Sequence, residues 1–181
     1  MKPAKLGLTS PRAADDLQEL GFEDEALLYT LAGAGDPDLA LNNIHRLAGA
    51  LESEWPELRT SLIDDPFFRT RLFALLGGST ALSDHLIANP REWRLLLEEV
   101  PAPEEMFSTM LAAVGAEAAE GPGLYRAGEE CGDPTVAKHK LRTTYRTLMM
   151  RIAAADLAGT FAAVKGHGEG EPMGYRYTTE R

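Results

Sequence analysis

A capping side chain followed at once by proline recurs five times along the chain: Ser10-Pro11, Asp36-Pro37, Asp65-Pro66, Asn89-Pro90 and Asp133-Pro134. Proline in a first helical turn loses nothing by its missing N–H, and the side chain before it accepts from backbone groups the helix leaves unpaired. Each pair precedes an apolar pattern of helical period, so five helix starts are predicted. Ala40, Ile44, Leu47 and Leu51 form one face after the second pair, and Phe68, Leu72, Leu75 and Leu76 one face after the third. Between them, Trp55-Pro56 predicts a break, followed by a short turn through Leu58, Leu62 and Ile63.

The stretch from Leu75 to Leu97 gathers three helices with almost no linker. One runs into Gly77-Gly78 and stops, and Ser79 opens the next. Asn89-Pro90 ends that and opens a third, with Trp93, Leu96, Leu97 and Val100 as its apolar stripe. Helices joined this tightly turn sharply on one another, which is the arrangement of a scaffold. Upstream, Pro11 to about Gly33 has a helical pattern interrupted at Gly21-Phe22. Downstream, Pro101 and Pro103 mark a linker. A helix is predicted from Glu104 to about Glu120, with Met106, Phe107, Met110, Leu111 and Val114 facing the core. Gly121-Pro122-Gly123 is expected to form a mobile loop.

Asp133-Pro134 opens the longest helix, with Leu141, Tyr145, Leu148 and Ile152 stepping along one side. From Pro134 to Ala155 there is no acidic residue, while Lys138, Lys140, Arg142, Arg146 and Arg151 make this a basic helix in a chain of net charge -10. Two roles are open to these cations: pairing with the acidic N-terminal half, or contact with a phosphate or acidic partner, both of which suit planar guanidinium groups. Arg142 and Arg146 lie four residues apart and share a face, an arrangement tolerable under something anionic. After Gly159 the pattern fades, and residues 165–181 are expected to be a disordered tail.

The fold expected is therefore all-α: a bundle of about six to eight short helices plus one long C-terminal helix. Residues 1–10 are expected to be flexible, 11–164 to form one helical domain, and 165–181 the tail. The 181-residue length has room for one domain. The negative charge argues against general binding to nucleic acid or to an anionic membrane. The N-terminus lacks the apolar core of a signal peptide, no run reaches the roughly 20 apolar residues needed to cross a bilayer, and the single Cys131 cannot form an internal disulfide. A cytoplasmic location is expected.

Little in the residues supports chemistry. Gly77-Gly78-Ser79 has the small residues that start a nucleotidyltransferase site, but such a site needs alternate carboxylates soon after to hold Mg²⁺ against a triphosphate, and only Asp84 follows. Asp64 and Asp65 are adjacent, and Asp65 is already a cap. His45 has no second ligand at helical spacing, so a surface or packing role is expected for it. His167 and Glu169 in the tail match no metal site well. There is no phosphate-cradling glycine loop, no paired-cysteine motif and no His-Glu-x-x-His. Catalytic, cofactor-binding and metal-binding residues are thus expected to be absent.

Three stretches, Asp36 to Leu51, Leu72 to Leu96 and Leu141 to Gly159, together resemble the N-terminal region of the bacterial glutamine synthetase adenylyltransferases, in the style of actinobacterial members. Their order and approximate spacing agree, and the resemblance covers roughly residues 14–160. The middle stretch, with its small-residue turn, Asp84-His85, Pro90 and Trp93, is the most specific. Two positions depart from the pattern: Ala155 stands where arginine is usual before Asp156, and Thr147 where an acidic residue is common. The resemblance implies a large bifunctional enzyme that attaches AMP from ATP, with Mg²⁺, to a tyrosine of glutamine synthetase. It also implies removal of that AMP by phosphorolysis, under control of a PII signal protein and glutamine. In that family the first nucleotidyltransferase site lies downstream of the matched region. A helical lead-in without transferase residues is therefore expected, inactive alone. The basic face of Arg142, Arg146 and Arg151 would dock on the catalytic domain that this chain lacks, or hold an anionic ligand. The alternative is a stand-alone helical interaction module for an acidic partner. Apolar side chains meant for an absent domain would favour self-association.

Overall fold

Helix α5 (Pro66–Gly78) is apolar round most of its girth, burying Phe68, Leu72, Phe73, Ala74, Leu75, Leu76 and Gly77, and the other helices surround it. A helix apolar on nearly every side has to be central, because solvent would meet a greasy face in any other position. Each fully buried leucine or phenylalanine there contributes about 1.5–3 kcal/mol by leaving water. The single stripe expected from Phe68, Leu72, Leu75 and Leu76 is buried as predicted, and Phe73 widens it.

The computed structural model describes residues 3–118, 123–126, 128 and 133–165. Among them are eight α-helices: α1 (Ala13–Glu19), α2 (Glu25–Ala32), α3 (Pro37–Leu51), α4 (Trp55–Asp64), α5, α6 (Thr80–Ala88), α7 (Pro103–Ala113) and α8 (Pro134–Lys165). Tight 3₁₀ turns cover Pro3–Leu6, Glu52–Glu54 and Pro90–Leu96. The expected all-α bundle with one long helix is what forms. A two-residue antiparallel ladder pairs β1 (Glu117–Ala118) with β2 (Tyr125–Arg126). Residues 119–122, most of the loop expected to be mobile, lie outside the described residues, as do Cys131 and residues 166–181 of the expected tail.

The caps hold where side chain and proline cooperate. Asp36 accepts from the Leu39 N–H, Asp65 from those of Phe67 and Phe68, and Asp133 from that of Thr135. Ser79 caps α6 through the Leu82 N–H. Ser10-Pro11 instead forms a turn, and α1 starts at Ala13. Asn89-Pro90 opens a 3₁₀ turn, not an α-helix, and its period of about three buries Trp93 and Leu96 while leaving Leu97 and Val100 outside.

Other expectations are corrected. The turn expected after Trp55-Pro56 is the ten-residue helix α4, because proline at the second helical position costs no hydrogen bond. Within the segment expected to be flexible, Leu6 and Leu8 belong to the core. Helix α7 stops at Ala113, short of Glu120, where Gly115 takes a left-handed backbone (φ +55°). Nothing within α7 itself is fully buried; only Val114 just past its end is. Phe107 is 53% exposed and stacks edge-on against Tyr125, with ring centroids 5.6 Å apart. Among the α8 residues whose side chains are described, Leu148, Met150 and Ala154 are buried, so of the stripe expected there Leu148 alone is buried, and Tyr145 is exposed.

Buried polar groups close off helix ends. The Arg69 guanidinium donates from Nη1 to the Leu62 and Ile63 carbonyls at the end of α4 and from Nε to Thr30. Asn43 donates to the Leu76 carbonyl of α5 at 2.9 Å and accepts from Arg46. These carbonyls have no helical partner of their own, and a buried orphan acceptor costs about 1–3 kcal/mol.

Candidate functional site

Helix α8 is one continuous helix whose two halves have different surroundings. Its second half lies on α5, and the approach is close at Gly78, where an added Cβ would stand 3.0 Å from Leu157 Cδ1. Along its first half Val136, Lys138, Lys140, Arg142, Tyr145 and Arg146 are all exposed. Asp133 caps this open end.

Polar pins hold the junction. His85 on α6 is 7% exposed, and its Nε2 lies 3.1 Å from Glu92 Oε2. The Thr147 hydroxyl donates to both oxygens of Glu92, at 3.1 and 3.0 Å. One turn further, Arg151 donates through Nη2 to Glu98 at 3.1 Å and to the Glu99 carbonyl. These contacts bind α6, the Pro90–Leu96 turn and the chain beyond it to α8. At position 147, where an acidic residue is the usual expectation, the threonine supplies a neutral donor to Glu92.

The three arginines predicted to act together are therefore divided. Arg151 has a side chain only 13% exposed and is committed to Glu98 and Glu99. Arg142 and Arg146 are exposed and, among the described residues, neither has an ion-pair partner. Other cations do find carboxylates: Arg46 pairs with Asp84 at 2.8 Å, and Arg91 and Arg94 with Glu54 and Glu57. In that second cluster the hydrogen bond from Arg91 is the main reason the Glu54 carboxyl is held below its ordinary range. The bond to Glu57 likewise raises Arg94. What remains on α8 is an exposed cationic ridge on which Lys138, Arg142 and Arg146 share one face with Tyr145, Lys140 standing on the opposite side. Such a surface can hold a carboxylate-rich protein segment against its guanidinium groups and an apolar side chain against the Tyr145 ring.

The residues weighed for phosphate chemistry do not converge. Gly77 and Gly78 end α5, Ser79 caps α6, and Asp84 is held by Arg46. Asp65 is spent on the cap of α5. This donor set does not fit a Mg²⁺–triphosphate pair. His45, expected to have a surface or packing role with no second ligand at helical spacing, lies 2.9 Å from Glu19 and close to Asp16, both on α1. No sequence spacing could show this, because the donors come from separate helices. His139 is exposed on α8, and His167 and Glu169 lie outside the described residues. No helix among the described residues is long and apolar enough to cross a membrane.

Comparison with known proteins gives a consistent result. A bifunctional glutamine synthetase adenylyltransferase/adenylyl-removing enzyme of Corynebacterium efficiens is 45% identical over 86% of this chain. Enzymes of the same name from Corynebacterium glutamicum and Nocardia farcinica are 40% identical over 98% and 45% identical over 86% of it. The chain spans only 17%, 19% and 16% of those relatives, respectively. No protein-family model matches it, and no solved structure does. Over nearly its whole length, then, the chain belongs to the family of bacterial bifunctional glutamine synthetase adenylyltransferase/adenylyl-removing enzymes, of which it represents less than a fifth.

Proposed function

We propose that this chain is the N-terminal helical support of such an enzyme and works by docking, through Arg142 and Arg146, onto the part of the protein that transfers AMP. The observation that carries this is the division of α8: one half locked into the core, the other an exposed cationic ridge whose arginines have no ion-pair partner among the described residues. Guanidinium groups left free in a chain of net charge -10, with many carboxylates available, are better explained by a partner than by the chain itself. Arg151 acts from within, fixing the angle at which α8 leaves the bundle.

On this reading ATP and Mg²⁺ are handled outside this chain. Support comes from Ser79, Asp84 and Asp65, each committed to a cap or an ion pair. Glutamine synthetase, named as substrate by the relatives, is then a partner of the whole enzyme, as is a PII signal protein, and the setting is cytoplasmic. A stand-alone interaction module is less well supported, since the match to one enzyme family runs along nearly all of the chain.

The test has two arms. The isolated chain, given ATP, Mg²⁺ and glutamine synthetase, should form no AMP-tyrosine and release none with phosphate. In a full-length relative, charge reversal at the positions of Arg142 and Arg146 should lower both activities while leaving the thermal stability of this segment unchanged. Activity in the isolated chain, or full activity in the reversed enzyme, would reject the proposal.

A further inference from the structure

The last turns of α1 and the middle of α3 bring three donor groups together. One donor atom each from Asp16, Glu19 and His45 lies within 4.8 Å of the other two. Asp16 and Glu19 are three residues apart and so share one face of α1. His45 reaches that face from α3, and its Nε2 sits 2.9 Å from Glu19 Oε2. The two helices pack on each other, with Ala13 and Leu17 of α1 and Ile44 and Leu47 of α3 buried in the core. The donors are thus placed by packed helices and not by a loop.

Two carboxylates alone would be an ordinary acidic surface. The imidazole changes the chemistry. One nitrogen and two carboxylate oxygens form the donor set of borderline ions such as Zn²⁺, whereas Mg²⁺ and Ca²⁺ prefer oxygen throughout. A groove of about 540 Å³ opens beside the cluster, lined in part by Ser10, Arg12, Asn42 and His45 itself, with room for water to complete a shell. The neighbouring carboxylates are already committed, Asp36 to the cap of α3 and Asp38 to Thr9 and Ser10. Arg12 approaches Asp16 only to 3.8 Å and from an exposed position, so it is a weak competitor. Two carboxylates with a neutral imidazole also match a dication in charge.

We propose that Asp16, Glu19 and His45 bind one Zn²⁺-type divalent cation, which staples α1 to α3. The site is independent of the enzyme family and of the docking ridge on α8. A staple of this kind would stabilise the N-terminal portion, where α1 is only seven residues long.

The test uses the whole chain. Zn²⁺ is titrated in competition with a chromophoric chelator, Co²⁺ is added as a spectroscopic probe, and thermal unfolding is followed with and without Zn²⁺. The expected result is one equivalent bound, a Co²⁺ ligand-field band, and a melting temperature raised by Zn²⁺. Loss of an outer-shell partner costs a metal site about 10–100-fold, so loss of a ligand in His45→Gln should cost on the order of tenfold or more. Asp16→Asn should weaken binding as well, and His139→Gln on α8 should leave it intact. Circular dichroism checks that each variant folds. No binding, or binding and thermal shift unchanged in both His45→Gln and Asp16→Asn, would overturn the site and leave an adventitious ion only.

Discussion

His85 Nε2 and Thr147 Oγ1 lie 3.1 Å apart although 62 residues separate them in the chain. Both reach the carboxylate of Glu92, so α6, the 3₁₀ turn after it and the long helix meet at one anion. Hydrogen bonds to charged groups in partly buried sites are strong, and their loss leaves a carboxylate short of donors. Thr147→Val keeps the shape and removes the hydroxyl. It should cost about 1–3 kcal/mol in urea unfolding. A double-mutant cycle with Glu92→Leu should show coupling, because once the carboxylate is gone the hydroxyl has less to satisfy. Additive effects would mean that the contact does no work.

Gly77 should not tolerate even a methyl group. A Cβ there would stand 2.8 Å from the Asp36 carbonyl oxygen and 2.9 Å from Ala34 Cβ. Both neighbours lie in the short link from α2 into α3, one of them backbone and the other a Cβ fixed to it, so neither can swing aside. In an exposed helix, Gly→Ala usually stabilises. Here the overpacking should win, and Gly77→Ala should lose about 1–3 kcal/mol. Gly49 has nothing within 4 Å of such a position, so Gly49→Ala in the last turn of α3 should gain instead, by up to about 1 kcal/mol. Thermal melts of the two variants should therefore move in opposite directions.

Asp38 ties the N-terminal segment to α3. It accepts from the Thr9 hydroxyl and from the backbone N–H groups of Thr9 and Ser10. The hydroxyl bond is the largest cause holding its carboxyl below the ordinary range, with the two backbone bonds helping and burial opposing. A lowered carboxyl contributes stability that is present above the unfolded value, about 3.9, and is lost as pH falls through the folded one. Protection of the residue 3–10 amides against hydrogen exchange should thus be level from neutral pH to about 5 and decline below about 4. Asp38→Asn should lower that protection at neutral pH and flatten its acid dependence. A profile identical to the unsubstituted chain would count against the tie.

Much of this fold was legible because its signals are local. Asp36, Asp65, Ser79 and Asp133 cap helices as their neighbours suggest, and the stripes of α3 and α5 are buried as spaced. The misread elements depend on what lies opposite. Trp93 and Leu96 go inward while Leu97 and Val100 stay out, because a 3₁₀ period fits the sharp turn after α6. Met150 and Ala154 are buried although Tyr145 and Ile152 look the better core residues. The basic helix was visible as composition, but not its division. Arg151 finds Glu98 and Glu99 some fifty residues earlier in the chain, and nothing in the local pattern separates it from Arg146. The same limit hid the neighbours of His45, which come from α1.

That division supplies a contrast that stability alone can measure. Arg151→Ala removes a mostly buried guanidinium from Glu98 and from the Glu99 carbonyl, leaving an acceptor without its partner. A loss of about 1–3 kcal/mol is expected. Arg142→Glu and Arg146→Glu lie on exposed helix surface with no ion-pair partner among the described residues, so each should shift stability by no more than about 0.5 kcal/mol. Their reversal even relieves the like-charge crowding of two cations four residues apart. Chemical denaturation of the three variants in parallel checks the split. If Arg146→Glu destabilised the chain as much as Arg151→Ala, the ridge would be serving the fold, and its cations would no longer be free for a partner.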